Sequence, residues 1–299
     1  MSNRFISWSI FIILCFIWGS SFILMSNSKD ELNAAQIASL RIFSAGIVFL
    51  PFAIFHISKI PKNKIITVIL AGIFGNLLPA FLFAWGIMKI DSSLEGILNS
   101  LTPICVIVIG IVFFRDKIKK RKIIGVLIGF LGLVLLTLFP MFMGEKTISF
   151  DNLSYTLLVV LATILYGINV NIVSHYLKGL KPIPVATVSL AFMAIPSVLV
   201  LWQTGFFQLD FADHNVQWSA VCSITLGVVG SAIATALFYI LVQKAGGLFA
   251  SLVTYGIPFV ALFWGFIYGE KIDAPEIACL GIILVGVYLA NKPEKPTQT

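Results

Sequence analysis

The chain has 299 residues, 59% of them hydrophobic and only 11% charged, with a formal net charge of +7 and a mean hydropathy of +1.02. A soluble domain is about 45–50% apolar and about 25% charged, and no soluble fold of this length could bury so much apolar side chain. That excludes a cytosolic enzyme, a disordered chain and a secreted disulfide scaffold, and it makes bilayer thickness, about 20 residues per helix, the ruler for dividing the chain.

In chain order, the stretches free of Lys, Arg, Asp and Glu are 5–28, 65–88, 123–144, 152–177, 182–209, 214–243 and 245–269. Two more, 32–58 and 92–114, hold one charge each, Arg41 and Glu95. A last stretch, 277–291, has 15 residues, and Pro275 suits the first turn of a helix that extends it. Little period-two alternation appears, which argues against a β-barrel. The chain is predicted to form ten transmembrane helices. The first is too long for a cleaved signal peptide and lacks an Ala-x-Ala-like site before Lys29.

Over the loops of a ten-span chain, 15 Lys and Arg fall on the side of both termini and 4 on the other. The positive-inside rule then puts both termini in the cytoplasm of a multi-pass cell (inner) membrane protein. The basic excess is a topology signal, so the expected partners are the lipid bilayer and a small molecule, with no nucleic acid. Cys15, Cys105, Cys222 and Cys279 all fall inside spans and read as small packing residues.

The two halves repeat each other. Trp18-Gly19-Ser20-Ser21 matches Tyr166-Gly167-Ile168-Asn169 at an offset of 148. Gly72, Gly75, Asn76, Phe83 and Pro103 match Gly227, Gly230, Ser231, Phe238 and Pro258 at 155, and Asp116-Lys117-Ile118 matches Glu270-Lys271-Ile272 at 154. Each half holds five spans, so the second must enter the membrane inverted. The expected division is 1–144, 145–292 and a disordered tail at 293–299.

These residues carry a resemblance. Phe16-Ile17-Trp18-Gly19-Ser20-Ser21-Phe22, Ser39-Leu40-Arg41-Ile42-Phe43 and Leu98-Asn99-Ser100-Leu101-Thr102-Pro103 lead it. The last recurs as Leu252-Val253-Thr254-Tyr255-Gly256-Ile257-Pro258. The chain resembles the drug/metabolite transporter superfamily, in its ten-helix members with two EamA-type domains. Arg115-Asp116 stands where Gly-Glu is usual, and Glu95 where a small residue is expected. The resemblance implies an all-α fold of two inverted five-helix repeats and secondary transport, often efflux of amino acids or related metabolites.

No GxxxxGK[ST], HExxH, GxSxG or cysteine-rich metal pattern occurs, so no nucleotide, metal, cofactor or enzymatic role is expected. Transport would run down a gradient of substrate or of a coupled ion. Uptake of a sugar or other nutrient is the rival within transport. A non-transporting membrane protein or a membrane enzyme is the rival outside it.

Polar residues inside spans are costly unless they pair or line a wet cavity. At helical spacing they fall on single faces: Trp18 and Ser21; Asn76, Pro79 and Phe83; Glu95, Asn99 and Thr102; Tyr166 and Asn169; Ser231, Thr235, Phe238 and Tyr239; Ser251, Thr254 and Pro258. One reading puts these faces around a central cavity made by spans one, three, four, six, eight and nine. The other makes them hydrogen-bonding glue between packed helices. The candidate cavity residues are Trp18, Ser21, Asn76, Phe83, Glu95, Asn99, Tyr166, Asn169, Tyr239 and Thr254. Glu95, one turn inside its span, either sits solvated at the interface or faces the cavity and exchanges a proton. Arg41, near mid-membrane, either holds the bundle together through a carbonyl or carboxylate partner or attracts a substrate carboxylate. Pro79, Pro103, Pro196 and Pro258 are candidate hinges or kinks. Gly125, Gly129 and Gly132 form a small-residue seam for close packing, within the bundle or between protomers of a homodimer.

Overall fold

The computed structural model describes residues 3–90, 92–142, 153–267 and 274–292. Among them ten helices are long and apolar enough to cross a membrane. Spans one to five are Arg4–Ser28, Ala34–Lys59, Lys62–Ile87, Leu94–Phe114 and Lys120–Leu138. Spans six to ten are Leu153–Tyr176, Pro182–Gln203, His214–Ala245, Gly247–Trp264 and Ala274–Asn291. The expected junction at 144/145, the tail at 293–299 and Glu270-Lys271 lie outside the described residues.

Boundaries shift where local chemistry outweighs hydropathy. Span two starts at Ala34 because Asn33 and Gln36 exchange side-chain-to-backbone bonds of 2.9 and 3.0 Å, a reciprocal cap. Span seven stops at Gln203, short of the predicted 209, because Gly205 takes a left-handed φ of 72° and turns the chain. Asp213 then caps span eight through Asn215 N at 2.8 Å.

Packing follows the repeat. Span two lies along span seven and span five along span ten. Spans three and four pack on six, and eight and nine pack on one. Exchanging one with six, two with seven, three with eight, four with nine and five with ten maps this contact pattern onto itself. The exchange holds for single residues. A Cβ at Gly72 would meet Ser189 O at 2.8 Å, and one at its counterpart Gly227 would meet Arg41 O. Arg41 therefore stands where the second half has Ser189, an offset of 148.

The glycine seam is used within the chain. A Cβ at Gly125 would run into Ala290 N and lie 2.7 Å from Gly286 O, and one at Gly132 would lie 2.9 Å from an Ile283 side-chain carbon. Tyr255 covers Gly129 and donates to Val126 O at 2.9 Å, tying span nine to span five. The seam faces spans nine and ten.

Several spans are interrupted. π-helical turns occur at Ile73–Leu77, Ile172–Tyr176 and Val228–Ile233. Span four consists of Ser92–Asn99 and Thr102–Phe114, and span nine changes to a 3-10 turn at Leu252–Tyr255. Pro79 and Pro103 sit in the first turn of the helical segment after a break, where the missing N–H costs least. Pro258 follows the break in span nine. Pro196 lies inside the helix Pro182–Gln203 rather than beside a break. Large apolar side chains such as Phe55, Ile66, Phe113 and Trp202 are exposed around the bundle, as a lipid-facing surface requires. All four cysteines are free thiols; three are buried and Cys105 is half-buried.

Candidate central cavity

The π-turns of spans three and eight build the cavity. They are counterparts, and each places a glycine against the facing helix. At Gly75 a Cβ would collide with the Asn169 carboxamide, lying 2.5 Å from its Cγ; at Gly230 a Cβ would lie 3.1 Å from Ser21 Oγ. Asn169 and Ser21 are themselves counterparts. A π-turn also leaves backbone groups out of the usual i to i−4 ladder, and such turns concentrate at functional positions. Gly230 O accepts a bond from Trp18 Nε1 at 3.1 Å.

The space between these elements is a cavity of about 120 Å³, enough for a few water molecules. Nine of the ten expected residues line it: Trp18, Ser21, Asn76, Phe83, Asn99, Tyr166, Asn169, Tyr239 and Thr254. Its aromatic walls obey the same exchange. Trp18 packs against Phe238 with ring centroids 5.4 Å apart, and Tyr166 stacks on Phe83 at 5.8 Å. Thr235 donates to Asn76 Oδ1 at 2.9 Å, and Tyr239 OH donates to Asn169 Oδ1 at 3.4 Å.

Arg41 also lines this space, so span two joins the six expected spans. Its Nε donates to Ser231 Oγ at 2.8 Å, a hydroxyl rather than the expected carbonyl or carboxylate. Among the described residues no other bond of its guanidinium is present. Asn76 Nδ2 and Asn99 Oδ1 are buried without hydrogen-bond partners. The wall thus offers an unpaired donor and an unpaired acceptor beside a cation.

Glu95 lies in neither of the two places expected for it. It is neither solvated at an interface nor on the cavity wall; its exposure is 0%, and neither carboxyl oxygen has a hydrogen-bond partner. Gly86 makes the room: a Cβ there would lie 3.0 Å from Glu95 Oε1. At an offset of 155 the second half has buried Leu241 and Ala250 in the places of Gly86 and Glu95. Bulk has moved from span three to span four, and a carboxyl has come with it.

Met25, Leu226 and Ile257 also line the cavity. Sequence reasoning missed them because apolar residues in a span look the same whether they face lipid or substrate. Gly75 and Gly230 were visible as repeat matches but not as cavity residues.

The expected effect of Gly75→Ala is a loss of about 1–3 kcal/mol of stability, because Asn169 must leave its place. Thermal unfolding in detergent checks it, with Gly96→Ala, where a Cβ meets nothing within 4 Å, as the neutral comparison.

A sequence profile described as the EamA-like transporter family matches residues 6–138 and again residues 153–292. The chain belongs to the EamA-like transporter family. It is accordingly a multi-pass membrane protein of a transporter family. An uncharacterized transporter of Archaeoglobus fulgidus is 25% identical over 94% of this chain and 97% of its own length. A chloroplastic WAT1-related protein of Arabidopsis thaliana is 21% identical over 98% of this chain and 71% of its own length. The protein PagO of Salmonella typhimurium is 22% identical over 94% and 91%. A protein crystal structure superposes with a TM-score of 0.70 at 14% identity, covering 95% of this chain and 96% of that one. That likeness shows a shared fold.

Proposed function

We propose that this chain exports a small carboxylate-bearing metabolite, such as an amino acid, from the cytoplasm by alternating access. One observation carries the reading: a half-buried Arg41 whose guanidinium makes one hydrogen bond among the described residues, in a small cavity that also holds Asn76 Nδ2 and Asn99 Oδ1, both without hydrogen-bond partners. A cation and an amide donor suit a carboxylate, and the amide acceptor suits an ammonium. The aromatic pairs suit an apolar side chain. An unpaired buried polar atom costs about 1–3 kcal/mol, and a bound ligand that pairs it recovers this. The basic end of the bundle lies in the cytoplasm in this reading, and the outward direction follows the resemblance. The chain acts as a carrier rather than an enzyme. It works in the cell membrane, with no bound cofactor, by rocking the two repeats about the cavity.

The test is metabolite profiling of cells overproducing the protein against cells carrying the Asn99→Leu/Asn169→Leu variant. Enrichment of a small carboxylate outside, only with the intact protein, supports export. Accumulation inside reverses the direction and favours nutrient uptake. No difference in either compartment overturns transport of such metabolites.

Glu95 is the coupling group of this proposal. A fully buried carboxyl whose oxygens have no hydrogen-bond partner is a place to hold a proton. Glu95→Gln is expected to leave transport independent of the pH gradient, measured in proteoliposomes. Glu95→Ala, which restores the residue of the second half, is expected to raise stability by about 1–3 kcal/mol while abolishing that coupling. A variant that keeps normal pH dependence would remove Glu95 from the mechanism.

A further inference from the structure

A second cavity, of about 560 Å³, opens at the basic end of the bundle, where residues of spans four, five, six, nine and ten meet the connections after spans four, six and eight. Lys117, Lys119, Lys122, Lys178 and Lys292 line it. Asp116 is the one acid on its wall among the described residues, and that carboxylate is already engaged. It accepts from His175 Nε2 at 2.9 Å, and His175 stacks on Phe114 at 4.3 Å. The chain itself folds Asp116 inward. Arg115 takes a left-handed φ of 56°, Asp116 N donates to Gly110 O at 2.9 Å, and Gly110 leaves room for the carboxylate. Among the described residues, Lys117, Lys122, Lys178 and Lys292 make no side-chain ion pair. Topology alone would scatter these lysines over the surface. Here they share one concave wall beside low-dielectric protein, which focuses their field and raises the local concentration of anions.

This cavity is stacked on the central one. Thr102 lines the central cavity and Val106 lines the basic one, one turn or about 6 Å further along the same helix. Val170 and Asn171 divide in the same way. The layer between is closed by Asn171 Nδ2 donating to Val106 O at 3.1 Å, and by Phe249 packed on Trp8 and Phe11 with centroids 5.2 Å apart.

The geometry points to the basic-end cavity as a binding site for small carboxylate- or phosphate-bearing anions, one closed layer away from the central cavity. Its role as a waiting station on the export path rests on the carrier reading above; the binding itself does not. A free organic anion and a lipid phosphate reaching in from the membrane surface share this chemistry.

The probe is citrate, titrated calorimetrically into the purified full chain in detergent. The variant Lys122→Gln/Lys178→Gln/Lys292→Gln is expected to bind it at least tenfold more weakly. Lys59→Gln/Lys62→Gln/Lys64→Gln, which removes the same charge from the same end outside the cavity, is expected to change binding less than twofold. The triple Lys→Arg version of the first set should restore it, which separates lost charge from lost folding. Equal weakening by both glutamine sets, or no citrate binding by the intact protein, overturns the proposal. So does loss of binding in Arg41→Gln, which would place citrate in the central cavity. In nanodiscs, a tenfold weaker titration with phosphatidylglycerol than with phosphatidylcholine alone identifies a lipid headgroup as the resident anion. Equal titrations identify a soluble one. A chain that exports nothing can still bind citrate here, so this test and the export test fail separately.

Discussion

Replacing Arg41 with Gln is expected to reduce export of a carboxylate substrate about 10- to 100-fold while shifting thermal stability little. Hydrogen bonds to charged groups contribute about 1.5–3 kcal/mol, which converts to that range of rates or affinities. The stability side nearly cancels. Ser231 loses a donor at 2.8 Å, but the protein no longer has to hold a guanidinium at membrane depth. Arg41→Lys keeps the charge and loses the planar fork, so it should recover only part of the activity. The measurement is export of labelled substrate from proteoliposomes, run beside unfolding in detergent and beside an amidated analogue of the substrate. If the analogue, which lacks the carboxylate, loses as much transport as the acid, Arg41 only holds span two to span eight.

The other large effect is structural. Gly286→Val is expected to cost about 3 kcal/mol and lower the unfolding temperature by on the order of 10 °C. A Cβ at this position would sit on Gly129 N, 2.5 Å from Gly129 Cα and 2.6 Å from Gly125 O. These are backbone atoms of span five and cannot turn aside, so spans five and ten must separate along their length. Gly281→Val, where a Cβ meets nothing within 4 Å, should leave both values unchanged. Fluorescence-monitored gel filtration after a heating series reads the difference. An unshifted Gly286→Val would mean that the two helices pack differently from the arrangement described.

The ten spans were legible because charges mark where a chain leaves hydrocarbon. The cavity was legible because Asn76, Asn99 and Asn169 have few cheap places in a membrane, and helical spacing put each on a face with other polar residues. What sequence could not supply was depth and partner. Whether Glu95 reaches water depends on Gly86, a residue of another span whose missing side chain makes the pocket. The partner of Arg41 lies 190 residues away, with no pattern linking the two. The seam at Gly125, Gly129 and Gly132 announced close packing, but a glycine row does not say what approaches it. The π-turns at Gly75 and Gly230 were hidden for a similar reason: nothing in the residue types separates a widened turn from a regular one.

The distance between Arg41 and Ser231 also bears on how the chain is made. Ribosomes add about 5–20 residues each second, so Arg41 emerges about 10 to 40 s before Ser231, the hydrogen-bond partner of its guanidinium among the described residues. Over that interval the Arg41 guanidinium sits in a nascent bundle without its Ser231 hydroxyl. Insertion of a central Arg costs about 2.5–3.5 kcal/mol, and the apolar remainder of span two has to carry that alone. The first half is therefore the vulnerable part of biogenesis, and completion of span eight is the step that secures it.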